Sequence, residues 1–432
     1  MNYQYLHPRD ELALTLARIY RYKMTTTSGG NLSILDENGD MWITPARIDK
    51  GTLKPTDIVC VKKDGTIVGL HKPSSEYPFH RAIYNARPDI RAVVHAHPVS
   101  LVAFSVSKKI PDTKLIPQTY RWNGTVAFAP YGIPGSEDLG NKIAEKFAAG
   151  YDSVVLESHG VCCGGRNLQD AFQRFETLEL CCKTEIKARA LGEPTFLTEE
   201  QLQLESRTGD VRLPTFEYDP EMMTIQEKDL RNQICQFVER GYRQGLLSGS
   251  TGTFSVRLDA NAFLITPRPL DRFDVQPHEI VMIRDGRCEQ GKTPSHAVLS
   301  HQAIYDAHPE IRAIINAYPP NSLAFSVCHE TIDTRTLPEC YIFLREVQLL
   351  PFETTFNNYP ELVKRVSPRH PAAVLSNNGV MVTGDSLLSA FDKLEVLECS
   401  AEAILDSIPI GGHVPMDQQV IEDIIQAFRL EK

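Results

Sequence analysis

Apolar residues recur at helical spacing over Pro8–Tyr22, where Leu12, Leu16, Ile19 and Tyr20 share one face and predict an amphipathic helix. The turn-rich Thr25-Thr-Thr-Ser-Gly-Gly leads into a predicted strand over Asn31–Leu35, and Asn38-Gly39 predicts a hairpin into Met41–Thr44. Asp57–Lys62 and Thr66–Leu70, joined by Asp64-Gly65, predict a second hairpin. Helices are expected over Glu76–Ala86, Pro98–Ser105, Ser136–Ala149 and Leu168–Leu191, with strands over Ala92–Ala96 and Ser153–Glu157. From 192 to 223 the pattern turns polar and is broken by Pro194, Pro214 and Pro220, which reads as a linker. Beyond it the order returns: a helix near Ile225–Tyr242, the turn-rich Ser248-Gly-Ser-Thr-Gly, a strand over Phe254–Leu258, and Ile265-Thr-Pro-Arg echoing Ile43-Thr-Pro-Ala. Strands met mostly in hairpins, with helices between them, predict a largely antiparallel sheet covered by helices rather than a doubly wound one. The chain has no GxGxxG or Walker pattern, so a nucleotide cofactor has no support.

The return of the pattern is a duplication. Phe79–Val106 aligns without gaps onto Ser300–Val327, 221 positions on, with 15 identities in 28 positions. At 432 residues the chain fits two domains of about 200 residues each. The expected division is 1–205 and 206–432, the first with an intact metal site and the second without one.

Composition narrows the partners. With 42% hydrophobic and 23% charged residues the chain reads as a globular protein, and a net charge of −10 argues against nucleic acid or an anionic membrane. No apolar run approaches the ~20 residues needed to span a bilayer. Met1-Asn-Tyr-Gln-Tyr-Leu-His-Pro lacks the pattern of a secretory leader. The ten cysteines include two adjacent pairs and no CxxC, and read as free thiols of a cytoplasmic protein.

Within the duplication the scaffold persists while one set of polar groups does not. His95 and His97 sit two apart on a predicted strand, so both side chains leave the same face. Their counterparts are Asn316 and Tyr318. His159, after the apolar Val154-Val-Leu, corresponds to Asn378, and Glu76 to Ala297. A lone buried histidine is usually a satisfied core residue. Three lost together, while Ile304, Tyr305, Ile311 and Arg312 are kept, point to a shared metal ion. Neutral imidazoles suit Zn²⁺, and Co²⁺, Mn²⁺ or Fe²⁺ are also compatible. A carboxylate at Glu76 beside such a cation can act as ligand, general base, or each in turn.

Taken together, Ser28-Gly-Gly-Asn31-Leu-Ser, Ile43-Thr-Pro, Lys72-Pro-Ser-Ser-Glu76, Val94-His95-Ala-His97, Ala129-Pro-Tyr131-Gly and Ser158-His159-Gly160 resemble the class II aldolase/adducin family. They occur in family order over nearly all of residues 8–190, and the second half resembles the same fold with a dismantled site. The resemblance implies an α/β fold in two tandem copies, each three-layer α/β/α with a largely antiparallel central sheet. It implies Zn²⁺ on His95, His97 and His159, with Glu76 as a ligand in the resting site and the proton-abstracting base. It assigns a phosphate cradle to Asn31, Ser74, Ser75 and the loop after Thr44. Tyr131 is assigned to the leaving aldehyde, and its counterpart Phe352 keeps the ring without the hydroxyl. Arg47 stands where the family usually has glycine, and either adds a contact to an anion or points to solvent.

The implied reaction is reversible cleavage of a ketose 1-phosphate, such as L-fuculose 1-phosphate, to dihydroxyacetone phosphate and a hydroxyaldehyde. The family also implies two alternatives: sugar-phosphate 4-epimerisation or dehydration on the same site, and a non-enzymatic adducin-like interaction module. Single-domain relatives form four-fold rings, so the resemblance further implies a homodimer completing a pseudo-four-fold ring.

Overall fold

The computed structural model describes residues 6–209 and 211–430. Met1–Tyr5, most of the stretch read above for a leader, lie outside the described residues. The chain divides into two compact units. The first takes in the chain up to Thr113 together with Gln118–Lys183, and the second Lys114–Pro117 and the chain from Thr184 onward.

The first unit is built on eight strands: β1 Asn31–Leu35, β2 Met41–Ile43, β3 Val59–Val61, β4 Ile67–Val68, β5 Ala92–Ala96, β6 Ala127–Ala129, β7 Ser153–Leu156 and β8 Gly160–Gly165. Their order is β4-β3-β2-β1-β5-β8-β7-β6, and every pairing is antiparallel except β6 with β7. The helices are α1 Pro8–Arg21, α2 Tyr77–Ala86, α3 Val99–Val106, α4 Pro117–Asn123, α5 Glu137–Ala148 and α6 Leu168–Leu191. Local sequence sets their ends. Pro8 opens α1 behind His7, whose Nδ1 accepts from the Arg9 amide, and Ser136 caps α5 on the Leu139 amide.

Each face of this sheet carries its own core. Leu12, Leu16 and Ile19 of α1 and Phe172 and Phe175 of α6 pack with Leu32, Val94 and Val161 on one face. Phe79 and Ile83 of α2 and Ile143 and Phe147 of α5 pack with Met41, Val93 and Val154 on the other. Val93 and Val94 therefore part to opposite faces, as strand alternation requires, and β5 is buried along its whole length.

Periodicity did not predict β8. Three of its six residues are glycine, which leaves no alternation to detect. Gly165 is needed there because a Cβ would collide with the Ala171 amide at the start of α6.

The second unit has nine strands: β9 Thr215–Phe216, β10 Thr253–Arg257, β11 Ala262–Ile265, β12 Val281–Arg284, β13 Arg287–Glu289, β14 Ala313–Ala317, β15 Gln348–Leu350, β16 Ala372–Leu375 and β17 Val380–Gly384. Their order, β15-β16-β17-β14-β10-β11-β12-β13-β9, repeats the first sheet and adds one edge strand. That extra strand lies in the stretch read as a linker, which also holds a helix over Glu199–Gly209. The prolines that suggested a break fall outside both elements, and a two-residue edge strand leaves no periodic trace. No helix among the described residues is long and apolar enough to cross a membrane.

Candidate metal centre

β5 lies between β1 and β8, with His95 opposite both Asn31 and Cys162. His95 is fully buried, and its Nδ1 lies 2.9 Å from the Val161 carbonyl, the place of an N–H donor. That bond fixes the tautomer and leaves the Nε2 lone pair facing the site. His97 follows the strand, and its Nε2 lies 3.1 Å from Nε2 of His95.

His159 comes from the turn between β7 and β8. Ser158 takes φ 53° there, and the Ser105 hydroxyl accepts from the His159 amide at 3.0 Å while donating to the Leu156 carbonyl at 2.5 Å. A Cβ on Gly160 would lie 2.6 Å from His97 Cδ2, so only glycine lets this turn approach His97. The ligating nitrogens of the three histidines all fall within 4.8 Å of one another.

Glu76 caps α2 and turns its carboxylate to the same point. Oε2 lies 3.4 Å from His95 Nε2, and Oε1 lies 3.5 Å from His159 Nε2. The Asn31 amide donates to Oε2 at 2.7 Å, whereas Oε1 is buried with no hydrogen-bond partner. Burial alone would raise this carboxyl, but in the acidic range where it titrates the protonated rings of His95 and His159 and the Asn31 amide outweigh burial and hold it below the usual carboxylate range. Burial pulls His97 down to about 3 and His159 to about 4, so both rings are neutral at pH 7. Neutral imidazoles converging beside an ionised carboxylate with one unsatisfied oxygen suit a divalent cation.

A buried chain of hydrogen bonds stands behind Glu76. The Tyr84 hydroxyl meets Ser33 Oγ at 2.6 Å, Ser33 Oγ meets His80 Nδ1 at 2.6 Å, and His80 Nε2 meets Asn31 Oδ1 at 2.5 Å. Because the Asn31 amide nitrogen donates to Glu76, its oxygen must accept, and His80 therefore carries its proton on Nε2. Sequence reading missed this network. Its trace was a His and a Tyr four apart on one helix face, retained in both copies as His80/Tyr84 and His301/Tyr305.

The other expected site residues fall into two groups. Thr44 and Ser74 are brought together, the Ser74 amide donating to the Thr44 carbonyl at 3.1 Å, and the Thr44 hydroxyl accepts from the Leu32 amide at 3.1 Å. Ser75 and Arg47 are exposed, Arg47 with φ 57°, a left-handed conformation suited to the glycine the motif usually has there. Tyr131 is 54% exposed and makes no hydrogen bond or ring contact with the three histidines. Its amide donates to Glu157 Oε2 at 3.0 Å, which ties its loop to the one carrying His159. β6 and β7 are parallel, so both loops leave the same end of the sheet.

The model of the Class II Aldolase and Adducin N-terminal domain matches residues 10–186 and again residues 232–405. The chain belongs to this family. Among curated class II aldolase relatives, 5-deoxy-D-ribulose 1-phosphate aldolase of Bacillus thuringiensis serovar kurstaki is 30% identical over 198 residues, 45% of this chain and 92% of the relative. L-fuculose phosphate aldolase of Methanococcus maripaludis is 34% identical over 162 residues, 37% of this chain and 86% of the relative. The 3-oxo-tetronate 4-phosphate decarboxylase of Escherichia coli is 32% identical over 179 residues, 40% of this chain and 84% of the relative. Of solved structures, one of L-fuculose 1-phosphate aldolase is 32% identical, with a TM-score of 0.42 over 46% of this chain and 94% of that one. Membership and the aldolase-named relatives make this a metal-dependent class II aldolase, a lyase, and its first unit contains a histidine group able to bind the metal.

Proposed function

We propose that the first unit cleaves a ketose 1-phosphate, such as L-fuculose 1-phosphate, reversibly to dihydroxyacetone phosphate and a hydroxyaldehyde. The observation behind this reading is the convergence of His95, His97, His159 and Glu76, all four of which are replaced in the second copy. The three imidazoles and the unsatisfied Glu76 oxygen would hold Zn²⁺. Such a cation supplies a Lewis acid, the electron sink for carbon–carbon cleavage.

The chain's own residues would do the rest. Glu76, ionised and held on one oxygen by Asn31, would use the other in turn, as a ligand in the resting site and, with substrate bound, as the base that moves protons at the hydroxyketone carbon. Ser74, Ser75, Thr44, Asn31 and Arg47 receive the phosphate. Asn31 has one amide hydrogen on Glu76 and the other left for a ligand. Tyr131, more than half exposed, would exchange a proton with the aldehyde oxygen.

The test pairs metal analysis with a product assay. About one zinc per chain and release of dihydroxyacetone phosphate from a ketose 1-phosphate panel are expected. Glu76→Gln should keep the zinc and lose about 10²–10⁴ of turnover. Full turnover in that variant would remove the base from Glu76. A second reading, decarboxylation of a 3-oxo acid phosphate, is favoured by the 32% identity to the Escherichia coli decarboxylase. Carbon dioxide released from 3-oxo-tetronate 4-phosphate, with no ketose cleavage, would select it.

A further inference from the structure

Lys50 is 3% exposed and its ammonium donates to the Pro45 carbonyl at 3.1 Å, directly after Thr44 in the loop given above to phosphate. No carboxylate lies within 4.0 Å of it among the described residues. Neighbouring Asp49 is occupied elsewhere, accepting from the Gly51 amide and the Thr52 hydroxyl. Burial lowers the ammonium to about 8, which leaves it a cation at neutral pH. A buried ammonium without a counter-charge is costly, and an anion at the loop above would offset that cost.

The second unit repeats the arrangement with a different side chain. Arg272 is 2% exposed, and its guanidinium donates to the Pro267 carbonyl at 3.1 Å and the Gly252 carbonyl at 3.0 Å; no carboxylate lies within 4.0 Å of it among the described residues, although Asp271 and Glu279 favour its charge from further off. The main chain is held alike, Lys50 on the Thr27 carbonyl at 3.1 Å and Arg272 on the Gly249 carbonyl at 2.8 Å. What the two side chains share is the charge and the bond to the loop's proline carbonyl. In the same loop and in the segment paired with it, the amides of Arg47 and Ser75 donate to no protein acceptor among the described residues, and both residues are exposed. Open amides in a loop that is itself bonded to a buried cation offer an anion both donors and charge.

We propose that Lys50 is a positioning residue for the substrate's phosphate, its ammonium supplying from beneath the Thr44–Arg47 loop the buried positive charge of the cradle. The inference rests on the phosphorylated substrate proposed above. Lys50→Gln keeps a donor for the Pro45 carbonyl but removes the charge, while Lys50→Arg installs the residue of the second copy. In the zinc-loaded full chain, Lys50→Gln should raise both KM for the ketose 1-phosphate and Ki for inorganic phosphate by about tenfold, with a smaller change in kcat. Lys50→Arg should restore both to within about threefold of wild type.

Three results would overturn the proposal: Lys50→Gln with unaltered phosphate Ki, equal losses for phosphorylated and unphosphorylated ketoses, or failure of both Lys50→Gln and Lys50→Met to fold, which would make Lys50 scaffold only. Wild-type protein that neither binds inorganic phosphate nor prefers the phosphorylated ketose would overturn the substrate reading as well. Wild-type preference with an indifferent Lys50→Gln would remove Lys50 alone.

Discussion

In the first unit His80 reaches Glu76 through Asn31; in the second its counterpart His301 stops at Asn316, 2.6 Å from Nε2. The network behind each histidine is the same, Ser255 meeting His301 at 2.7 Å and Tyr305 at 2.8 Å as Ser33 meets His80 and Tyr84. Other supports are also duplicated. Glu179 accepts from the Ser100 and Leu101 amides, and Glu398 from Asn321 and Ser322. Ser105 pins the turn between β7 and β8 through the Leu156 carbonyl, and Ser326 the turn between β16 and β17 through the Leu375 carbonyl, each at 2.5 Å.

The metal positions of the second unit have been rebuilt as a closed polar set. The Tyr318 hydroxyl donates to Asn378 Oδ1 at 2.8 Å, and the Asn378 amide reaches the Thr355 hydroxyl at 3.3 Å. The first unit turns three imidazole nitrogens and a carboxylate oxygen toward one point, whereas in the second Asn316, Tyr318 and Asn378 each bond to a protein group. Divergence of this kind separates residues that build the fold from residues that need a ligand.

The largest effect should come from removing ligands where they converge. His95→Ala/His97→Ala is expected to lose the bound metal and at least about a thousandfold of lyase activity. Asn316→Ala/Tyr318→Ala should leave metal content unchanged. Metal analysis and the product assay on both pairs test this. Equal metal loss in the two would end the distinction between the units.

Some of this contrast was legible in the sequence. Two histidines at strand spacing share a face whatever the rest of the fold does, and β5 falls on Ala92–Ala96 as expected from the sequence. Simultaneous loss of three histidines and a glutamate also needs no coordinates to be seen. The register that sets Asn31 opposite His95, and so beside Glu76, is a pairing between distant segments and leaves no local mark. Ser33 looks like any polar residue of a strand, and only the fold turns it inward to join a histidine and a tyrosine from α2. Nothing in the sequence marks Lys50, because burial of a cation by a loop depends on how that loop closes.

A smaller effect follows from the histidine that the second unit kept without a metal. His301 is wholly buried, and burial lowers its pKa to about 4. The unfolded chain, with an ordinary value near 6.5, takes up the proton first as pH falls. Its contribution is therefore intact above pH 6.5, declines between pH 6.5 and 4, and is lost in full below that, amounting to about 3 kcal/mol. Denaturation of wild type and His301→Gln across that window measures it. The variant should lack this part of the slope and retain the rest.

The smallest expected effect separates fold from chemistry most cleanly. Ser33→Ala and Ser255→Ala each remove one buried hydroxyl that links a histidine to a tyrosine, and leave both partners buried. Each should cost about 1–3 kcal/mol of stability, since the stranded groups cannot recover water. Only Ser33 lies on a path that ends at a carboxylate in the candidate site. Loss of its bond frees the His80 ring to turn, and with it the Asn31 amide that holds Glu76 Oε2. Ser33→Ala should therefore lower kcat by about tenfold beyond any loss of folded protein. Ser255→Ala should leave kcat untouched while lowering the unfolding midpoint by a similar amount. Equal kcat in the two folded variants would show that the network supports the fold alone in both units, and that Glu76 needs no help from His80.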